Sequence, residues 1–87
     1  MITINEIVDM FSYYEEFLSP CRDCDNHPKF YYNDTCTTES VIVLRCGCKT
    51  INRTISLVQL AQVALPKLYI SDVLAEMVNV WEGSVKR

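Results

Sequence analysis

The chain has 87 residues, of which 49% are hydrophobic and 22% are charged, and its formal net charge is −3. This composition is that of a folded globular domain, and the length allows one hydrophobic core, so we expect a single domain over residues 1–87. No stretch approaches the roughly 18 apolar residues that a membrane span requires. A net acidic chain is also poorly suited to general nucleic-acid binding, because contacts to phosphates supply most of that affinity.

The cysteine content predicts a stabilising metal ion. Domains of this size are marginally stable unless disulfides, a metal or oligomerisation support them, and this chain contains five cysteines. The N-terminal segment lacks the basic, apolar and small-residue regions of a secretion signal, so we expect a cytoplasmic protein. In that reducing compartment clustered thiols are more often metal ligands than disulfides. The odd number would also leave one cysteine unpaired in an all-disulfide scheme.

Residues 1–20 are predicted to form an N-terminal helix. Thr3 and Glu6 form a capping box, in which each side chain satisfies a backbone N–H of the other residue. The helix should end at Ser19, because the residue before a proline avoids the helical conformation. Apolar residues recur at helical spacing and form the predicted buried face: Ile4, Ile7, Val8, Phe11, Tyr14 and Leu18.

The other side of this helix carries only acidic charges. Residues 1–20 contain no lysine or arginine, and their four acids are Glu6, Asp9, Glu15 and Glu16. We expect these carboxylates to face outward as an uncompensated acidic surface. Such a surface attracts a basic partner, so we assign these residues to partner binding.

Residues 21–55 are predicted to contain short strands around the cysteines. Segments 29–32 and 41–45 are rich in aromatic and β-branched residues, and the polar stretch 33–39 between them has the composition of a hairpin loop. Segment 50–55 is a candidate third strand.

Residues 56–87 are predicted to form two C-terminal helices. Ser56 and Gln59 form a second capping box, and Pro66 should end that helix. Ser71 is the predicted N-cap of the last helix, and Gly83 stands where a glycine commonly follows a helix end. The buried face of the last helix is predicted to comprise Leu74, Met77, Val78 and Trp81.

These elements predict an α+β fold, in which a zinc-ribbon-like β-hairpin unit is flanked by one helix before it and two after it. The unit's two cysteine pairs, Cys21/Cys24 and Cys46/Cys48, are separated by 21 residues, enough for two strands and a turn. A C-x-x-C turn places two thiolates on one side of a tight knuckle, and four thiolates form a closed structural zinc site. The second pair is one residue shorter than usual, and Gly47 allows the positive φ that such a turn requires.

Other uses of these residues remain open. His27 or Cys36 are alternatives to one of the four thiolates, and a disulfide or unligated core cysteines are alternatives to the metal. A thioredoxin-like redox pair would open a helix, whereas Cys24 leads into a predicted strand. The chain has no nucleophile–base pair and no glycine-rich phosphate loop, so we expect no catalytic residues and no enzymatic activity.

Cations and aromatic residues lie together in the metal-bearing third, a combination that can clamp single-stranded nucleic acid. Acidic residues interrupt this patch and disfavour nucleic-acid binding. A nucleic-acid-binding zinc-ribbon modulator of transcription is therefore the alternative function. The cations are Arg22, Lys29, Arg45, Lys49 and Arg53, and the aromatic residues are Phe30, Tyr31 and Tyr32.

Segments 18–24 (LSPCRDC), 43–48 (VLRCGC) and 75–81 (AEMVNVW) resemble the phage restriction alleviation (Lar-like) zinc-ribbon proteins, over residues 18–48 and 71–82. That family reads L-x-P-C-P-x-C-G, then V-x-C-x-x-C-G, then a helix ending A-x-x-x-W-N. Arg22, Asp25 and Glu82 replace its proline, glycine and asparagine.

The resemblance implies that Cys21, Cys24, Cys46 and Cys48 bind zinc and that Trp81 packs the last helix onto the ribbon. It also implies a phage protein of the host cytoplasm that inhibits a restriction, CRISPR or related defence component by direct binding, without catalysis.

Overall fold

A computed structural model of the protein describes residues 2–34 and 36–85. Three helices and three strands follow one another in the order α1 (Ile4–Glu15), β1 (Lys29–Asp34), β2 (Glu39–Arg45), β3 (Thr50–Ser56), α2 (Leu57–Gln62) and α3 (Pro66–Val85). The predicted α+β class is therefore confirmed, with one helix before the sheet and two after it. None of the helices in the described part of the chain has the length and apolarity that crossing a bilayer requires.

The three strands form an antiparallel sheet in the order β1-β2-β3. Phe30 pairs with Leu44 and Leu44 with Ile51, so side chains of the same face line up across all three strands. Burial alternates along β2, as expected for a sheet covered on one face only. The covered face is formed by Phe30, Tyr32, Ser40, Ile42, Leu44, Ile51 and Ile55.

The helices lie against this inner face and form the core with it. The Phe11 ring of α1 stacks on Phe30 of β1 with centroids 5.4 Å apart. Helix α3 contributes most of the remaining core, and its Trp81 is fully buried. The predicted burial of Leu74, Met77 and Trp81 is confirmed, while Val78 is half-buried.

Helix α1 begins as predicted but buries fewer residues than expected. Thr3 Oγ1 accepts a hydrogen bond from the N–H of Glu6 at 3.2 Å, which confirms the cap. Ile4 and Val8, however, are 54% and 46% exposed. The helix packs mainly on β1 and α3, and the narrow line of residues directed between them, such as Ile7, is covered.

The boundaries of the C-terminal helices differ from the prediction. Ser56 Oγ caps α2 by accepting from the N–H of Gln59 at 3.2 Å, as expected. Pro66, however, begins α3, because the first turn of a helix does not need the N–H that proline lacks. Ser71 therefore lies inside α3, where its hydroxyl bonds to that of Tyr14. Gly83 also lies inside this helix, in its last turn.

Candidate metal centre

The sheet topology brings the two cysteine pairs to the same end of the molecule. β1 begins at Lys29, opposite the last residue of β2, Arg45, which in turn pairs with the first residue of β3, Thr50. The segment that carries Cys21 and Cys24 leads into β1, and Cys46 and Cys48 lie in the loop from β2 to β3. Residues far apart in sequence thus meet where three strand ends coincide.

The first cysteine pair lies on a turn closed by two backbone hydrogen bonds. The carbonyl of Cys21 accepts from the N–H of Asp25 at 2.9 Å, and the N–H of Cys21 donates to the carbonyl of Asn26 at 3.0 Å. Asp25 has a φ of 60°, in the left-handed region. This conformation turns the chain back, which places the sulfur atoms of Cys21 and Cys24 on the same side.

The second pair occupies the hairpin loop of residues 46–49. The N–H of Cys46 donates to the carbonyl of Lys49 at 3.1 Å. The sulfur of Cys46 in turn accepts from the N–H groups of Cys48 at 3.4 Å and Lys49 at 3.3 Å. Because the pairing of Arg45 with Thr50 fixes the loop length, the hairpin itself accounts for the short C-x-C spacing.

Gly47 serves a different purpose from the one that its sequence context suggests. Neither glycine of the chain has a positive φ, so the predicted conformation at Gly47 is wrong. A Cβ atom at Gly47 would lie 2.6 Å from Nδ2 of Asn26 and 3.5 Å from the sulfur of Cys24. The absence of a side chain lets the two turns approach each other.

The sulfur atoms of Cys21, Cys24, Cys46 and Cys48 all lie within 4.8 Å of one another. The Cys21–Cys48 and Cys46–Cys48 sulfur distances are 3.4 and 3.8 Å. Sulfur atoms bound to one tetrahedral zinc at about 2.3 Å would lie about 3.8 Å apart. A disulfide would require about 2.05 Å, and all five cysteines are free thiols. The four are therefore close enough to hold a metal ion.

The electrostatics of this cluster favour a bound cation. The backbone N–H of Cys24 lowers the pKa of the Cys21 thiol, and the backbone N–H of Asn26 lowers the pKa of Cys24 to about 6. A hydrogen bond with the neighbouring Cys21 sulfur favours the protonated Cys48 thiol and raises the pKa of Cys48 to about 12. A cation among the four sulfur atoms would offset the repulsion between thiolates and allow all of them to ionise.

Helix α3 holds the chain segment that precedes Cys21. The indole N–H of Trp81 donates to the carbonyl of Ser19 at 3.0 Å. The carboxylate of Glu82 accepts from the backbone N–H of Ser19 at 2.7 Å and from its hydroxyl at 2.9 Å. Sequence reasoning assigned Trp81 to the core but gave Glu82 no role, although Glu82 stands where the Lar-like motif has an asparagine.

His27 and Cys36, the alternative ligands, lie outside the cluster. The ring nitrogens of His27 contact the carbonyl oxygens of Leu18 at 3.0 Å and Pro28 at 3.1 Å. Cys36 lies in the connection between β1 and β2, where its sulfur is 3.4 Å from the Thr38 hydroxyl. The geometry therefore favours the four-thiol set.

The predicted acidic surface of α1 is only partly uncompensated. Glu6 lies 3.2 Å from Nζ of Lys67, and their hydrogen bond lowers the pKa of the Glu6 carboxyl. Glu15 turns inward, where its carboxylate accepts from the N–H of Phe30 at 2.8 Å. Asp9 and Glu16 are exposed and form no ion pair within residues 2–34 and 36–85. The expectation of an uncompensated outward face is thus wrong for Glu6 and Glu15.

The cation–aromatic patch is divided by the sheet. Phe30 is buried and Tyr32 half-buried on the inner face, whereas Tyr31 points to the outer face and is 39% exposed. Lys49 forms an ion pair with Asp23 at 3.6 Å, which links the two cysteine turns. Of the aromatic residues of the patch, Tyr31 is therefore the one exposed to a ligand.

In comparisons with protein-family models, curated proteins and solved structures, nothing matches this chain. The similarity to Lar-like proteins therefore stays a prediction from the three motif segments.

Proposed function

We propose that Cys21, Cys24, Cys46 and Cys48 bind one zinc ion as thiolates and that this zinc is structural. The donor set supports this proposal, because four soft sulfur ligands in tetrahedral reach suit zinc. Four protein ligands leave no position for a substrate or a reactive water. The zinc would contribute folding free energy to a small core, and the protein would act by binding, without catalysis.

Two variants test the zinc site, one at a proposed ligand and one at a matched cysteine outside the cluster. Structural zinc contributes an apparent ~10–16 kcal/mol in isolated zinc fingers, which equals or exceeds the roughly 5–15 kcal/mol of a typical domain. Cys46→Ser should therefore lose zinc and unfold the sheet, as measured by elemental analysis and circular dichroism. Cys36→Ser should keep one zinc per chain and its fold. Zinc-free but fully folded wild-type protein, or loss of zinc in Cys36→Ser, would contradict the assignment.

We further propose that the protein inhibits a bacterial defence protein by binding it directly. The observation that carries this proposal is a stripe of acidic and aromatic residues on the exposed side of α1 and the turn after it. We call it the α1 stripe, and it consists of Asp9, Tyr13, Glu16 and Phe17. Tyr13 and Phe17 are 59% and 57% exposed, with ring centroids 5.2 Å apart.

The α1 stripe has the chemistry of a protein interface. Asp9 and Tyr13 each lie two positions after a buried residue, Ile7 and Phe11, which is about 200° around the helix, so they face away from the core. Exposed aromatic residues are common in the energetically dominant centres of interfaces. Carboxylates beside them steer the surface towards a basic partner. Beside the stripe, Ala75 and Val78 of α3 line a shallow groove that could receive an apolar side chain.

The class of partner rests on the resemblance described above. Defence proteins that handle nucleic acids expose basic surfaces, which complement Asp9 and Glu16. We therefore propose that the partner is a restriction, CRISPR or related defence component and that binding blocks it without modifying it. The proposed location is the cytoplasm of a bacterial host.

Plaque assays on strains that each carry one restriction or CRISPR system test this function. Expression of the protein should raise plaque counts of a sensitive phage on at least one strain. Tyr13→Ala combined with Phe17→Ala should abolish the effect, since it removes both aromatic rings. Asp9→Lys combined with Glu16→Lys should slow association with the defence component that the wild type inhibits. Glu15 is unsuitable for charge reversal, because its carboxylate bonds to β1.

Leu68→Ala is the matched control, because Leu68 is 58% exposed on α3 and lies outside the α1 stripe. It should retain full activity, and all variants should retain one zinc per chain. Unchanged plaque counts across the strains, or full activity of the double aromatic variant, would contradict the proposed function.

A further inference from the structure

All three helices cover one face of the sheet and leave the other face open to solvent. We call this open face the outer sheet face. The register places nine of its side chains in three cross-strand rows: Lys29, Arg45 and Thr50; Tyr31, Val43 and Asn52; Asn33, Val41 and Thr54. Val41 and Val43 are half-buried, and the other seven residues are exposed.

The outer sheet face concentrates positive charge at the metal end. Lys29 lies directly opposite Arg45, and like charges in that position repel. Neither forms an ion pair within the described residues, whereas Lys49, Arg53 and Lys67 each pair with a carboxylate. The repulsion between Lys29 and Arg45 destabilises this arrangement, and a bound anion would offset the repulsion.

The same face carries a cation–π pair. The guanidinium carbon of Arg45 lies 4.6 Å from the centroid of the Tyr31 ring. Nucleic-acid bases stack both on aromatic rings and on guanidinium planes. The amide side chain of Asn52, in the same row as Tyr31, can donate and accept hydrogen bonds. Stacking groups and unpaired cations thus lie side by side on one surface.

We infer that the outer sheet face binds single-stranded nucleic acid, with Lys29 and Arg45 contacting phosphates and Tyr31 stacking against a base. A single strand fits this face better than a duplex, because stacking requires an unpaired base. An acidic protein segment would meet the cations but leave the stacking surface unused. The inference goes beyond the proposed protein binding, because the α1 stripe lies on a helix and the outer sheet face is the face that the helices leave uncovered.

Fluorescence anisotropy with labelled oligothymidylate and oligouridylate of about 12 nucleotides tests this inference on the zinc-loaded full chain. We expect binding of at least one probe at about 50 mM salt, with log K falling against log salt with a slope of about −1.4 for two phosphate contacts. Lys29→Gln and Arg45→Gln should each weaken binding and reduce that slope by about 0.7. Tyr31→Val should weaken binding roughly tenfold without changing the slope.

Lys67→Gln is the matched control, because it removes the same charge from the helical side of the molecule. It should bind the probes like the wild type, and so should the double variant of Tyr13 and Phe17. The inference is overturned if neither probe binds, or if Lys67→Gln weakens binding as much as Arg45→Gln. It is also overturned if a duplex of equal length binds as tightly, or if an oligoglutamate peptide binds and the oligonucleotides do not.

Discussion

Asp25 occupies the least favourable backbone conformation in the first cysteine turn. Its φ of 60° is tolerated by aspartate better than by most residues, but glycine adopts it at no steric cost. The family that the chain resembles carries a glycine at this position. We predict that Asp25→Gly raises the free energy of unfolding by about 0.5–1 kcal/mol.

Asp25→Val provides the opposite test, because a β-branched residue is strongly disfavoured at positive φ. It should lower the stability and weaken zinc retention against a competing chelator. Both variants are compared by denaturant unfolding with zinc present. Equal stability of the glycine and valine variants would show that the turn does not depend on this conformation.

The four-cysteine cluster could be predicted from the sequence because its signal is local. Each pair is a short pattern of thiols, a pattern typical of zinc sites. The contacts of Glu15 and Glu82 could not be predicted, because their carboxylates accept hydrogen bonds from the backbone N–H groups of Phe30 and Ser19. A backbone partner leaves no mark in the sequence, so both acids looked like ordinary surface charges.

At the scale of elements, Glu15 joins α1 to the free edge of β1. Its carboxylate accepts from the N–H of Phe30, which no strand of the sheet satisfies. Glu15→Ala should lower the free energy of unfolding by about 1–3 kcal/mol, because it removes a charged acceptor from a partly buried donor. The adjacent Glu16→Ala should change it by less than about 0.5 kcal/mol. Urea denaturation of the two variants measures the difference, and equal effects would contradict the role of Glu15.

Gly83 offers a stabilising substitution in α3. It lies within the last turn of the helix without a positive φ, and a Cβ atom there would contact nothing within 4 Å. Gly83→Ala should raise the free energy of unfolding by up to about 1 kcal/mol, because alanine restricts the unfolded chain and favours the helix. Thermal denaturation measures the shift. A lower melting temperature would mean that this turn is not helical in solution.

The strands and caps were predicted well, whereas the extent of α3 was not. Strand composition and the side chains of Thr3 and Ser56 act over a few residues, so they can be recognised locally. Pro66 is compatible with either the end of one helix or the start of the next. Whether Pro66 ends or begins a helix depends on long-range packing, such as that of Ile70 against the core. The local sequence carries no information about that packing.

At the scale of the whole molecule, Trp81 connects the four-cysteine cluster to the helical core. It is fully buried, it is the only tryptophan of the chain, and it donates to Ser19 two residues before Cys21. Removal of zinc with a chelator should therefore shift its fluorescence to longer wavelength, in parallel with the loss of ordered structure. Zinc addition should reverse the change. An unshifted emission after complete zinc loss would show that the core is independent of the metal.

The bonds from α3 to Ser19 join positions that lie 62 and 63 residues apart. The first cysteine turn is therefore synthesised before the groups of α3 that fix its position, and it cannot reach its final place until α3 has left the ribosome. Until then the thiols of Cys21 and Cys24 belong to a turn that is not yet anchored, and they are more open to oxidation than in the folded domain.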